Sequence, residues 1–347
     1  MAEIALRAQP ETGRAATRVP TGVVVIVLAL LTVLLCLVSL AVGSQSLTLE
    51  ELVSAFVPGE RTVASIIVWQ LRMPRTVLAA MVGAALAMAG VVMQGLTRNP
   101  LAEPGILGVN AGASLSVVLS MSLLGLTDVG EFLWFAFAGA ALAAFLVHLI
   151  SVRSADAGPA RLVLAGVALG ASLRSITGTV TMYDSVTFDS YRFWVLGSLV
   201  DRDAELLVWV APFLVVGLVL ALASGLTLNA LALGEEQAQA LGVSPRRARA
   251  LALTSITLLC GASTAAVGPI SFVGLVVPHV LRLALGADQR KLLVVSVVAG
   301  PVLLLAADIL GRVILDSGEM EAGVVTAFIG GPVLLLMVIQ RMGVRGR

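Results

Sequence analysis

The sequence predicts an all-α integral membrane protein, a bundle of about ten transmembrane helices. Three observations carry that expectation: the composition, a series of long charge-free runs, and proline–glycine breaks inside several of them. Of 347 residues, 59% are hydrophobic and 12% charged, with a mean hydropathy of +1.03. Soluble globular chains carry about 25% charged residues, so most of this chain belongs in lipid. A formal net charge of +1 gives no basic surface for nucleic acid and none for an acidic partner. Cys36 and Cys260 both lie inside apolar runs and suggest neither a disulfide nor a metal site.

Crossing about 30 Å of hydrocarbon takes about 20 apolar residues. Runs of that order lie between Arg18 and Glu50, Arg75 and Arg98, Glu103 and Asp128, Glu131 and Arg153, and Glu205 and Glu235. The run Ala250–Leu281 is too long for one crossing. Gly268-Pro269 and Pro278 interrupt it, so it reads as one helix plus the start of another. Arg161–Met182 contains Arg174, and Leu292–Val313 contains Asp308 and Arg312; both read as spans that tolerate internal charge. Ala322–Gln340 is the last. The count is ten, or nine if Gly268–Gly286 is only re-entrant. The first run reads as a retained span, because its apolar core of about 23 residues is long for a signal peptide and no small-residue cleavage site follows closely. Residues 1–20 are then an N-terminal tail, 21–342 one transmembrane domain, and 343–347 a short C-terminal tail.

Loop charge sets the orientation. With the N-terminus in the cytoplasm, the inner side collects Arg7, Arg14, Arg18, Arg98, Arg153, Arg161, Arg246, Arg247, Arg249, Arg282, Arg290, Lys291, Arg341, Arg345 and Arg347. The outer side collects only Arg61, Arg72, Arg75, Arg192, Arg202 and Arg312, together with most of the acids. An even span count returns the C-terminus to the cytoplasm. The expected location is a cytoplasmic (inner) membrane.

Small residues recur at four-residue spacing: Gly83 and Ala87, Ala85 and Ala89, Gly166 and Gly170. Such spacing lets helices approach closely in lipid, either as general bundle packing or along a pathway or dimer seam. NPLAEPGILG (Asn99–Gly108), GPISFVGLVVP (Gly268–Pro278) and IGGP (Ile329–Pro332) break helices at membrane depth. Irregular backbone survives there only where protein or a water-filled cavity surrounds it, which points to a transporter or channel.

LALGEEQAQALGVSPRRAR (Leu231–Arg249) is a polar interruption on the cytoplasmic side between spans six and seven. Glu235, Glu236 and Gln237 suit a first helical turn. Ala238 and Leu241 offer a small apolar face. Gly242 can end the helix, and Ser244-Pro245 stops its continuation.

RMPRTVLAAMVGAALAMAGVVMQGLTRNPLAEPGILGVNAGAS (Arg72–Ser114) resembles the hallmark segment of the FecCD-type permeases, the membrane subunits of bacterial ABC importers for iron siderophores, vitamin B12 and haem. RLVLAGVALG (Arg161–Gly170), GPISFVGLVVPHVLRLALGADQR (Gly268–Arg290), AADILGR (Ala306–Arg312) and GVVTAFIGGPVLLLMV (Gly323–Val338) match in order, as does the LxLGxxxAxxLG pattern of the cytoplasmic segment. The resemblance covers roughly Gln45 to Met342.

The resemblance implies a ten-helix type II importer bundle. It implies a second permease subunit (identical or not), two cytoplasmic ABC ATPase subunits, and an extracytoplasmic binding protein. It makes the cytoplasmic segment the coupling element, with Gly234, Glu235, Glu236, Ala238, Leu241 and Gly242 as its working residues. It places Arg72 and Arg75 at the outer face, where they dock the binding protein or simply snorkel; Arg312 ends span nine on the same side and is read as joining them. An Asp308–Arg312 pair within one helix is an equal alternative for Arg312. It points to span five and the preceding DAGPAR loop as pathway lining and inner gate: Pro159, Ala160, Leu162, Gly166, Gly170 and Arg174. Pro159 and Ala160 replace the small hydroxyl residues of the vitamin B12 permease. Arg174 either lines the pathway or pairs with an acid on a neighbouring helix.

The chain agrees on the source of energy. Its only lysine, Lys291, precedes Leu292, so no phosphate-binding loop ending in Lys-Ser/Thr exists. The expectation is a non-catalytic transport subunit without cofactor of its own, with ATP and Mg on the partner ATPase. His148 and His279 are read as polar structural residues and no metal site is expected. A membrane enzyme would need clustered acids or histidines, and none is clustered here. An ion-coupled secondary transporter would need intramembrane acids, and only Asp308 qualifies. The expected cargo is a ferric siderophore, with vitamin B12 or haem as alternatives.

Overall fold

The computed structural model describes residues 20–43, 47–57, 62–152, 159–315 and 318–345. Of the expected tails 1–20 and 343–347, residues 1–19 and 346–347 lie outside the described residues, as do 156–158 of the DAGPAR loop, while 343–345 continue the last helix. Fourteen α-helices and no strands occur among those described. They are α1 (Thr21–Ala41), α2 (Leu49–Ser54), α3 (Val63–Ile66), α4 (Met73–Thr97), α5 (Val109–Leu124), α6 (Val129–Val152), α7 (Pro159–Tyr183), α8 (Ser185–Val195), α9 (Ala204–Ala232), α10 (Glu235–Ala240), α11 (Pro245–Val267), α12 (Val273–Leu285), α13 (Gln289–Val313) and α14 (Ala322–Arg345). Eight described segments are long and apolar enough to cross a membrane, and α5 and α12 are shorter apolar helices. Together they make the ten elements that the charge-free runs predict.

Span two starts earlier than expected. A π-helical turn, Ile67–Arg72, joins α3 to α4, and Pro74 sits in the first turn of α4. Proline has no N–H to continue an α-helical ladder; the wider i→i+5 bonding of the turn, as from Met73 N–H to Val68 O, carries the chain past it.

α4 is the axis of the bundle. Every residue from Val82 to Thr97 is buried, and α9, α11, α12 and α13 pack around it. The small-residue run makes this possible. A methyl group on Gly83 would meet the backbone of Gly300 on α13, and one on Gly90 would collide with the backbone of Gly274 on α12. Ala85, Ala87 and Ala89 are wholly buried. This stripe is bundle packing and lines no pathway.

The two short helices share one explanation. At 1.5 Å per residue, the 16 residues of α5 reach about 24 Å and the 13 of α12 about 20 Å. Both begin in mid-bundle: Gly274 lies against Leu86 and Gly90, at the middle of α4, and Ile106 to Gly108 lie against Gly166 and Gly170 of α7. Irregular segments 98–108 and 268–272 cover the remaining depth, so Gly268–Gly286 crosses as an extended stretch plus a half-length helix.

Side chains satisfy the backbone that these breaks free. Phe272, left-handed at φ 69°, donates its N–H to Glu103 Oε1 at 2.7 Å. Gln94 Nε2 donates to Gly274 O at 3.1 Å, and Arg282 donates to Gln94 Oε1. Asn110 Oδ1 accepts from Thr264 Oγ1 at 3.0 Å. The two broken segments are thereby pinned to each other and to α4 and α11.

This packing makes a stability prediction. Gly90→Val should destabilise by at least about 1–3 kcal/mol through overpacking, whereas Gly178→Ala, with nothing within 4 Å of a new methyl, should be neutral or stabilising by up to about 1 kcal/mol. Thermal unfolding of the purified protein in detergent checks both; equal melting of Gly90→Val and the parent would contradict the assigned contact.

Candidate coupling corner, outer charge cluster and pathway face

The polar segment Leu231–Arg249 folds into a closed corner between α9 and α11. Gly234 turns the chain at φ 123°, and the Gln237 side chain fills the space that a Cβ would need. α10 then carries Glu235 and Glu236 in its first turn. Gly242, at φ 79°, ends it in a Schellman motif: Gly242 N–H donates to Gln239 O and Val243 N–H to Ala238 O, both at 2.9 Å. Arg249 on α11 pairs with Glu235.

The expected apolar face divides in two. Ala238 is fully buried against Ala230, Leu231, Val243 and Ala248. It therefore fastens α10 to its own chain and presents nothing outward, which corrects its place in an intersubunit surface. Leu241 is 64% exposed, as is neighbouring Leu233 at 65%. Beside this corner, Asn229 on α9 donates to Asp288 Oδ1 and accepts from Gln289 N–H, both at 2.9 Å. The Asn229 amide, ahead of the neighbouring backbone amides and Lys291, holds the Asp288 carboxyl below the usual carboxylate range.

At the opposite end, Arg72, Arg75 and Arg312 come together as expected, but not as a surface. Arg72 and Arg312 are 6% and 5% exposed, and the Arg75 side chain 11%. Helix α1 ends here with carbonyls that have no partner in the helix. Arg72 Nη1 donates to Leu40 O and Ala41 O, each at 2.7 Å. Arg312 Nη1 donates to Ser39 O at 2.8 Å and Val42 O at 3.0 Å. Asp308 sits between the cations: Arg75 Nη2 reaches Oδ1 at 2.7 Å, and Arg312 pairs with Oδ2. Arg75 Nη1 also holds Glu319 at 2.7 Å. The intrahelical Asp308–Arg312 pair is thus present.

The docking reading of these arginines needs correcting, because their donors already serve internal carbonyls and carboxylates. What remains open is a recess of about 600 Å³ beside them, also lined by Gln70, Asp201 and Arg202. Burial pushes the Arg202 guanidinium below its usual range, against the opposing effect of Glu321, Asp201, Asp128 and Asp203.

α7 has two unlike faces. Leu162, Gly166 and Gly170 are buried; Gly166 packs on Ile106 O and Gly170 faces Gly108. These three belong to the packed face, which corrects their assignment to a pathway wall. Ala160 and Arg174 are exposed, and the Pro159 side chain lies outside the described residues. The uncovered face also carries Ala168, Ala171, Ser172, Ser175, Gly178 and Thr179, which motif matching passed over, interleaved with exposed Leu164, Val167 and Ile176. Their three- and four-residue spacing was available in the sequence as a second, more polar stripe.

A model of the FecCD transport family matches residues 30–340. The chain belongs to the FecCD transport family. Among FecCD relatives, it is 44% identical over 316 residues to the ferric enterobactin transport system permease protein FepD of Escherichia coli (strain K12), covering 90% of this chain and 94% of the relative. It is 36% identical over 335 residues to the hemin transport system permease protein HmuU of Yersinia pestis, covering 95% and 98%. A solved inward-facing structure of a metal-chelate type ABC transporter superposes with a TM-score of 0.81 at 28% identity, covering 92% of this chain and 99% of that one. This FecCD-family chain is a multi-pass membrane transport permease.

The outer cluster gives the FecCD bundle a testable weak point. Asp308→Asn removes the shared anion of two buried guanidiniums and should cost about 3–5 kcal/mol. Glu319→Gln, at a carboxylate 20% exposed, should cost less than about 1 kcal/mol. Thermal melting in detergent decides; the opposite order would show that Asp308 does not hold the cluster.

Proposed function

We propose that this chain is the permease subunit of a bacterial ABC importer that carries ferric siderophores across the cytoplasmic membrane. The observation that carries the pathway is α7. Its most apolar window has a mean hydropathy of 1.4, the lowest of the eight long spans, yet only 17% of that window is buried. α1 is similarly uncovered, at 11%, but has a mean hydropathy of 3.3. Lipid suits α1. A face on which serine, threonine, glycine, alanine and arginine are interleaved with Leu164, Val167 and Ile176 is less apolar than α1, and suits a water-filled pathway completed by a second permease subunit.

The partners follow from the same reading. Two ATPase subunits bind ATP and Mg in the cytoplasm, where Leu241 enters their surface and α10 passes their closure to α9 and α11. An extracytoplasmic binding protein delivers cargo to the outer face, and both termini are cytoplasmic. The likeness to a ferric enterobactin permease supports iron-siderophore cargo, and the likeness to a hemin permease supports haem as the second reading.

Deletion of the gene should slow growth under iron limitation and stop uptake of a radioiron-labelled siderophore. Intact siderophore uptake with loss of haem or cobalamin uptake would replace the cargo assignment and leave the permease assignment standing. Leu241→Glu should leave the folded protein in the membrane while reducing uptake about tenfold or more, as expected for loss of a buried apolar anchor at an interface. Ala238→Glu should instead lower the amount of folded protein, since it buries a charge inside the corner. Quantified membrane protein and uptake rates separate the two; normal uptake by Leu241→Glu removes it from the coupling contact.

A further inference from the structure

We propose that Arg174 gives the pathway a fixed positive charge that selects a ferric chelate of net negative charge over a neutral one. The inference rests on α7 being a pathway wall and goes on to assign the charge of the cargo. Arg174 lies 15 residues into α7 and 9 before its end, about 22 Å from one end of the helix and about 13 Å from the other at 1.5 Å per residue. Its side chain is exposed at that depth. Among the described residues no carboxylate pairs with it, while Arg75, Arg249 and Arg312 all have ion-pair partners within the chain. α7 carries no Asp or Glu from Pro159 to Tyr183.

A guanidinium this deep is too costly to leave facing lipid, so the face that bears it belongs to water and cargo. The surrounding groups do not neutralise it. Ser172 and Thr179, both exposed, donate their hydroxyl protons back to Ala168 O and Ser175 O at 3.0 Å. Low-dielectric walls extend the reach of an unopposed charge and raise the local concentration of ions of opposite sign. A second copy of this chain across the pathway would bring another Arg174 to the same depth. A bulky anionic chelate is then attracted by charge without needing a shaped binding site, which suits cargo that must leave again.

Single cysteines can read the potential at this face. Ala171→Cys and Gly178→Cys lie three residues before and four after Arg174, both exposed, and a side chain at Gly178 meets nothing within 4 Å. They would be made with Cys36→Ser and Cys260→Ser in the full transporter, reconstituted with its ATPase subunits in proteoliposomes. Reaction rates with an anionic sulfonatoethyl and a cationic trimethylammonioethyl methanethiosulfonate are then compared. Arg174 should favour the anionic reagent by about fivefold relative to Arg174→Gln, with Arg174→Lys restoring the preference. No reaction at either cysteine would sink the pathway reading of α7 and this inference with it. Reaction at both with a rate ratio that Arg174→Gln leaves unchanged would overturn the charge assignment alone. In the same vesicles, Arg174→Gln should slow uptake of a trianionic ferric tris-catecholate about tenfold while Arg174→Lys retains it. Equal uptake by all three proteins, or none by the parent protein, would overturn the anionic cargo class.

Discussion

Inside hydrocarbon a backbone N–H or C=O without a partner is heavily penalised, and the arrangement of this bundle follows from that constraint. At several of the helix ends a long polar side chain from elsewhere in the sequence meets the exposed groups. Arg72 and Arg312 close the end of α1. Glu103 begins α12, and Gln94 takes up the Gly274 carbonyl. Asn229 does the same for α13 at the cytoplasmic end. Each of these links joins elements far apart in the chain, so satisfying the backbone also fixes the tertiary structure. The glycine contacts of α4 with α12 and α13 bring the backbones close enough for these links to form.

The same principle sorts the charges. Those at the outer cluster are buried and bonded within the chain. Burying three guanidiniums is tolerable because two carboxylates and four helix-end carbonyls receive them. Arg174 has no such surroundings, and Leu241 and neighbouring Leu233 are its apolar counterparts, side chains that the chain itself leaves uncovered. For a transport subunit, residues without internal explanation are the informative ones, and they fall at two places, the α10 corner and the open face of α7.

Much of this was legible in the sequence. Charge-free runs located the spans because the hydrocarbon thickness imposes a length, and proline with glycine marked both mid-bundle breaks but not a third: Ile329–Pro332, expected to break a helix, stays helical inside α14. The turn chemistry of Gly234, Gly242 and Pro245 outlined α10. What was not legible depended on which face a helix shows to its neighbours. Gly166 and Gly170 form a small-residue stripe, and so do Ala171, Ser175 and Gly178; periodicity alone does not tell which one α5 and the 98–108 segment cover. Arg72 and Arg75 sit beside a span end in sequence, and only the arrival of α1 and α13 shows them enclosed. α8 went unnoticed because its apolar residues are interleaved with Asp189 and Arg192, leaving no run to count.

The bond from Phe272 to Glu103 joins residues 169 positions apart, and that separation bears on how the protein is made. Synthesis proceeds from the N-terminus, so the irregular stretch before α5 enters the membrane long before the segment that completes it exists. At membrane protein elongation rates of about 5–20 residues per second, the interval is on the order of ten seconds or more. Throughout it the Glu103 carboxylate has no α12 to cap. The nascent chain must therefore stay where water can still reach this stretch, and the bundle becomes fully lipid-compatible only after its eighth crossing has been delivered.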